Sequence, residues 1–379
     1  MSGERDRAID AVRAVAIAGV VLGHWLVTGL VLGPDGGLVQ ASPLRALPSF
    51  APVTWLLQTL GLFFFAGGYA AARSSRPLPR RLTRLALPVA GLGALWSAAL
   101  LLAAVAGVPG VTLDTVATLV VSPLWFLLPF VGLLALTGPL RRTVERAGPA
   151  AVVLPALAVV ALADAGLGAL PLTVVAAWLV PYTLGVALAT GRLASRGTGL
   201  ALLAGGVAAL AILVLWLGYP ASAVGVPGDG RSNLSPPSLF TVALAAAQIG
   251  VALLVRPWLN RRATPPVVAA LNRAAMPVYL WHQSALIAAT TAVAWLSGGA
   301  PVPGLHTAPD GLAWVGARLA WLPLFAALLA AACRWAGGGR TVPTRCTMFD
   351  GSEPRRPVEV IAVRDSDPPR HSRATRQLS

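Results

Sequence analysis

Apolar stretches long enough to cross a bilayer recur along this chain, and they exclude a water-soluble fold before any single residue is weighed. A membrane-spanning helix needs about 20 predominantly apolar residues. Hydropathy marks ten such segments, at residues 8–32, 53–72, 85–107, 122–140, 149–169, 171–191, 199–219, 237–255, 274–297 and 311–336. The fifth and sixth are separated by a tight turn near Gly168 and Pro171. Over 379 residues, 56% are hydrophobic and 11% charged, with a mean hydropathy of +0.73. The expectation is an all-α polytopic membrane protein of about ten transmembrane helices, with residues 1–336 forming the membrane domain.

Charge placement sets the topology. The net charge of +15 comes from arginine alone, since the chain contains no lysine. One set of loops holds Arg5 and Arg7, then Arg73 to Arg84, Arg141 to Arg146, Arg192 and Arg196, and Arg256 to Arg273, while the opposite loops hold only Arg45 and Arg231. By the positive-inside rule both termini lie in the cytoplasm. The basic balance thus follows the membrane and does not point to nucleic acid. The Arg, Ala, Gly, Pro and Leu bias fits a GC-rich bacterial genome, so the expected location is the bacterial cytoplasmic membrane. The first helix is expected to be retained, not cleaved as a signal peptide. Residues 337–379 turn to Pro, Arg and Ser without apolar periodicity, the composition of a disordered cytoplasmic tail. Cys333 and Cys346 imply neither a disulfide framework nor a metal site. No internal repeat is visible, nor a matched pair of Gly- or Pro-broken helices in the two halves.

The first span carries Asp10, Arg13 and His24. At 100° per residue these three fall within about 60° of one another. An ionisable residue in a membrane helix costs about 2.5 to 3.5 kcal/mol on insertion scales, so three on one face imply a shared cavity or a bundle interior. Asp10 is placed to pair with Arg13 at i, i+3. Arg13 and His24 stand about 16.5 Å apart along the axis, Asp10 and His24 about 21 Å. Gln58, Asp164, Gln248 and Arg318 are further intramembrane polar groups, and no partner for Arg318 can be assigned from sequence.

The lead-in Asp10-Ala-Val-Arg13-Ala, with ten residues between Arg13 and His24, resembles the start of the acyltransferase 3 family of bacterial integral membrane O-acyltransferases. Phe63-Phe64-Phe65-Ala66-Gly67-Gly68-Tyr69 is similar to its Phe-Phe-x-x-Ser-Gly-Phe, with Gly67 where the family has serine, a change that suggests close helix packing there. Arg80-Arg81-Leu82-Thr83-Arg84-Leu85 with Pro88, Leu124-Trp125-Phe126-Leu127 and Tyr279-Leu280-Trp281-His282 resemble later family segments in the same order. The resemblance spans residues 5 to about 336 and is to the stand-alone type, without a soluble esterase-like domain.

What the resemblance implies is transfer of an acyl group, acetyl by default, from acyl-CoA to a hydroxyl of a sugar, glycan, lipid or secondary metabolite. Acyl-CoA would be a co-substrate; no permanently bound cofactor and no metal is expected. The partners are membrane lipid, acyl-CoA and the hydroxylated acceptor. His24 fits the general base, since burial keeps imidazole neutral; the alternative is a core histidine bonded to a neighbouring carbonyl. Arg13 could hold a coenzyme A phosphate or only snorkel to the surface. His282, with Tyr279 one turn before it, assists proton transfer, orients substrate or is a structural hydrogen-bonding residue. Asp10 is a substrate-orienting residue or only a salt-bridge partner, and Trp125 a substrate-lining residue or an interfacial anchor. Arg80, Arg81 and Arg84 follow from topology and could also attract coenzyme A phosphates. The rival reading is a transporter of a small solute or lipid with the Asp10, Arg13 and His24 face as its polar pathway.

Overall fold

The computed structural model describes residues 6–338 apart from 34, 35, 194, 227 and 229. Its first helix, α1 (Arg7–Val27), begins at Asp6, whose carboxylate accepts from the Ile9 amide at 3.3 Å and caps the first turn. The helix is shorter than the expected span: the chain leaves it at Thr28, and β1 (Gly29–Leu32) pairs antiparallel with β2 (Leu38–Ala41) in a small hairpin. Gly36, at φ 76°, takes a backbone conformation in that turn that only glycine adopts freely.

The second expected span is broken. After α2 (Pro43–Ala46) and a 3-10 turn at Pro48–Val53, α3 (Thr54–Leu57) stops at Gln58 and Thr59, and α4 (Leu60–Arg73) starts afresh. The next helix, α5 (Leu78–Val105), begins ahead of the expected span, so Arg80, Arg81 and Arg84 lie in its first turns and not in a loop. The fourth span is also earlier than expected and interrupted: α6 (Gly110–Val121) gives way to a 3-10 turn at Ser122–Leu124 before α7 (Leu127–Ala135). Amphipathic α8 (Thr137–Ala147) then bends by 114° into α9 (Ala150–Asp164). The remaining helices are α10 (Leu170–Ala189), α11 (Arg196–Leu215), α12 (Leu239–Arg261), α13 (Pro266–Arg273), α14 (Ala275–Leu296) and α15 (Leu312–Gly338).

Eight of the described helical segments are long and apolar enough to cross a membrane, or nine if the bent α8–α9 pair is one span. The architecture is therefore all-α and polytopic. The difference from ten lies partly in α14, where Tyr279, His282, Gln283, Ser284 and Thr290 dilute the apolar run. All five of those side chains are buried, so α14 is an interior helix whose polar groups face protein. The tail expected at 337–379 lies, beyond residue 338, outside the described residues.

Small residues set the tightest contact. A Cβ on Gly68 would collide with the Tyr182 backbone, and one on Gly185 with the Phe65 carbonyl, so α4 and α10 approach backbone to backbone. Beside this contact Phe64 stacks on Trp178 with ring centroids 4.8 Å apart. A Cβ on Gly67 would meet the Phe130 ring, so that glycine too serves packing.

The arginine-rich loops meet at one end of the bundle. Arg256 binds Asp6 at 2.7 Å, Tyr69 donates to Asp6 at 3.3 Å, and Arg73 donates to Tyr69 at 3.0 Å. Arg7 reaches the Arg262 carbonyl at 3.1 Å. At the opposite end Asp164 accepts from the Tyr219 hydroxyl at 2.6 Å and from the Leu239 amide at 2.8 Å, with Arg231 stacked over the Tyr219 ring. Burial, reinforced by Asp164, pushes the Tyr219 phenol up to about 12. The segment from Tyr219 to Ser238 is pinned from within by Asn233, which donates to the carbonyls of Pro220 and Ser222 at 2.7 and 2.8 Å. Trp55 anchors the same segment to α3 by donating to the Ala221 carbonyl at 2.6 Å.

Arg318 has a partner after all, and it is backbone. Fully buried, it donates to the carbonyls of Trp25 at 2.7 Å, Gly304 at 2.9 Å and Thr28. Two of these belong to the last turn and C-cap of α1, where orphan carbonyls and the negative end of the helix dipole favour a cation.

Arg318→Met is expected to lower the thermal midpoint in detergent sharply, since each buried carbonyl left without a donor costs about 1 to 3 kcal/mol. An unchanged midpoint would remove Arg318 as the cap of α1. Gly185→Val is expected to destabilise by about 1 to 3 kcal/mol or more through overpacking, read as loss of the monodisperse elution peak; Gly91→Val, at a glycine with open space around it, serves as the tolerated control.

Candidate active site

The two interrupted spans converge on His24. At the first break, the Gln58 side-chain oxygen accepts from the Leu60 amide at 2.9 Å and so inserts itself into the helical ladder, the kind of intrusion that kinks a helix without Pro or Gly. The carbonyls freed there are met from α12, where Gln248 donates to Trp55 at 2.8 Å and to Gln58 at 3.0 Å. Thr59 turns the other way and donates to the Ala16 carbonyl of α1 at 2.8 Å. At the second break, the Tyr279 hydroxyl donates to the Pro123 carbonyl, and its ring packs on Phe126 at 5.0 Å. Non-helical backbone at membrane depth persists only where protein or a cavity satisfies it.

Between the breaks lies a cavity of about 180 Å³, with His24, Gln58 and Trp125 among its walls. His24 places Nδ1 2.9 Å from the Val20 carbonyl. A carbonyl only accepts, so in the neutral ring Nδ1 carries the proton and Nε2 is the free acceptor. His282 repeats the arrangement: its Nδ1 lies 2.6 Å from the Tyr279 carbonyl, and its buried Nε2 has no hydrogen-bond partner among the described residues. The two imidazoles are neighbours, with ring centroids 4.9 Å apart. Trp25 fixes their relation, since its indole donates to the His282 carbonyl at 2.9 Å while Arg318 holds its own carbonyl.

Arg13 does not share this cavity. It lines a second, smaller one toward the arginine-rich end, together with Phe63, Gly67, Met276 and Tyr279. Asp10 pairs with Arg13 at 3.7 Å, as the i, i+3 spacing requires, and lines neither cavity. The single polar wall expected from the helical wheel is thus divided: His24 faces one cavity and Arg13 the other. Tyr279 and Phe126 stand between them, with Phe63 packed against Phe126 at 5.2 Å. Trp125 lines the His24 cavity, within a ring-to-ring distance of 6.2 Å from Trp178. Of the basic trio, Arg80 and Arg84 are exposed. Arg81 turns inward, donating to the Ser74 carbonyl at 2.7 Å. No cluster of three or more metal-ligating side chains occurs among the described residues.

Sequence reasoning missed the stitching residues, Asp6, Trp25, Thr59 and Gln248 in its role at the break. The one available signal was the polar pair Gln58-Thr59 inside an apolar run, which marks a break as surely as proline when its side chains can reach backbone.

The model of the acyltransferase 3 family, described as an acyltransferase domain, matches residues 6–336. No curated protein and no solved structure matches the chain. The match runs from the capping aspartate of α1 to Ala336 in the last turn of α15 and takes in both broken spans, His24 and His282; the chain belongs to the acyltransferase 3 family of membrane acyltransferases.

Proposed function

We propose that the chain is an O-acyltransferase that moves an acyl group, acetyl by default, from acyl-CoA to a hydroxyl of a sugar, glycan, lipid or secondary metabolite, with His24 as the general base. The observation that carries this reading is the free Nε2 acceptor of a half-buried histidine on a cavity wall, in a chain of an acyltransferase family. The acceptor hydroxyl gives its proton to His24 Nε2 as its oxygen attacks the thioester carbonyl. Collapse of the tetrahedral adduct breaks the C–S bond, the electron pair leaves on coenzyme A sulfur, and the proton held by His24 passes to that thiolate. The ester and free coenzyme A are the products, and the imidazole is neutral again.

The donor enters from the cytoplasmic, arginine-rich end of a bacterial cytoplasmic membrane, where both termini lie. Arg13, held by Asp10, takes a phosphate or the polar part of the carrier; Arg80, Arg81 and Arg84 attract its phosphates from the entrance. Tyr279 and Trp125 line the route and the acceptor side. His282 supports proton transfer from beside His24: its Nδ1–H is committed to the Tyr279 carbonyl, and its ring centroid lies 4.9 Å from that of His24. Family membership separates this reading from a transporter, which would leave its cargo chemically unchanged.

His24→Ala is expected to cost about 10²- to 10⁴-fold in transfer, the usual contribution of a positioned base, with elution and acyl-CoA binding retained. Mass spectrometry of surface glycans, lipids and secreted metabolites from cells with and without the substitution reads it, as loss of one discrete acyl increment; an undiminished increment refutes the base. Arg13→Gln is expected to raise KM for acyl-CoA at least tenfold with a smaller effect on kcat, whereas an unchanged KM would return Arg13 to a structural role.

A further inference from the structure

We infer that the acceptor is a neutral alcohol with a predominantly apolar body, not an ionic or polyhydroxylated sugar, and that its oxygen is held between His24 and the Gln58 carboxamide. The inference rests on the transfer reading above and narrows its acceptor. Its basis is the chemistry of the cavity wall. Val20, Val27, Leu57, Phe126, Val224 and Leu234 supply apolar surface, and no charged side chain lines the cavity among the described residues. Thr54 lies on the wall too, yet its hydroxyl is already used, donating to the Ala51 carbonyl at 2.5 Å and accepting from the Ala223 amide at 2.8 Å. That leaves three groups for a guest, one of them the indole N–H of Trp125, a donor on the same wall. His24 offers the Nε2 lone pair, because Nδ1 is committed to Val20. Gln58 offers its NH2, because its oxygen is committed to the Leu60 amide.

One acceptor and two donors suit a single hydroxyl, whose O–H points to His24 while its two lone pairs accept from Gln58 and Trp125. They do not suit a hexose, whose remaining hydroxyls would be buried against Val, Leu and Phe without partners. An anionic sugar would meet no cation among the described lining residues, since Arg13 faces the other cavity. The Gln58 NH2 is rigidly aimed: its own backbone carbonyl is held by Gln248, and Thr59 is tied to Ala16. The break in the second span therefore has a use, turning a polar side chain into an otherwise apolar chamber. The Asn233-pinned segment contributes Val224, Gly225 and Leu234 to the wall, and none of these is charged.

The test uses the full chain in nanodiscs with a diazirine-bearing dodecanol as probe, irradiated without acyl-CoA, so that labelling reports binding and not turnover. Expected is labelling of residues 54–60, 123–126, 224, 225 and 234, competed by excess dodecanol but not by equal glucose or glucuronic acid. Gly23→Val enters the chamber from a position where an added Cβ makes only ordinary contact with Leu57 at 3.6 Å, and is expected to cut labelling at least fivefold. Val27→Phe, also on the wall, provides the same reading if Gly23→Val does not fold. Gln58→Leu is expected to raise the alcohol's KM in acetyl transfer at least tenfold, while KM for acetyl-CoA stays within twofold. Labelling spread over lipid-facing helices and untouched by these variants, or competed equally by either sugar, overturns the inference. Transfer to a glycan with no labelling would do so while leaving the transferase reading intact; labelling without transfer to any alcohol would instead overturn the transferase reading.

Discussion

A backbone carbonyl or amide released inside a bilayer has no water to turn to, and the geometry around His24 follows from how each released group is satisfied. Gln248 holds the carbonyls at the first break, Tyr279 the one at the second, and Arg318 those at the end of α1. Three donors from three other helices therefore meet the chain at the points where it departs from helix. The departures give the site its shape, because a continuous second or fourth span would run past His24 instead of opening around it. The polar residues of the bundle interior are best understood as donors for backbone, which also explains why Arg318 needs no carboxylate.

Much of the fold could be read from residues alone, since apolar length and arginine placement identify spans and the ends they connect. The structure brings the arginine-bearing loops together through Asp6, Tyr69 and the Arg7 contact to residue 262, as that placement requires. What hydropathy could not read was discontinuity. Gln58-Thr59 and Ser122-Pro123 barely lower a window average, yet each ends a helix, because one side chain or one ring competes locally with the i to i−4 ladder. Helix α14 shows the converse: its polar residues depress hydropathy, yet the helix lies inside the protein, where neighbours and not lipid decide what is tolerated.

For the site, the sequence named both histidines and Arg13 through spacing and resemblance, and the Asp10 to Arg13 pair through i, i+3 geometry alone. The helical wheel put His24 and Arg13 on one face, but a face is not a compartment. Whether two residues on one stripe share a space depends on what neighbouring helices insert between them, here the rings of Tyr279 and Phe126. That His24 and His282 would be 4.9 Å apart was beyond reach, because it depends on an indole of α1 seeking a carbonyl of α14.

The aromatic partition between the cavities bears on the energetics of the membrane itself. A membrane potential does about 2.3 kcal/mol of work on each elementary charge per 100 mV, so a water-filled pore through the bundle would dissipate an ion gradient continuously. The two cavities share no lining residue. Aromatic rings of Tyr279, Phe126 and Phe63 stand between them, so the bundle keeps a separate chamber toward each end, with Arg13, the one charged lining residue among those described, on the arginine-rich side.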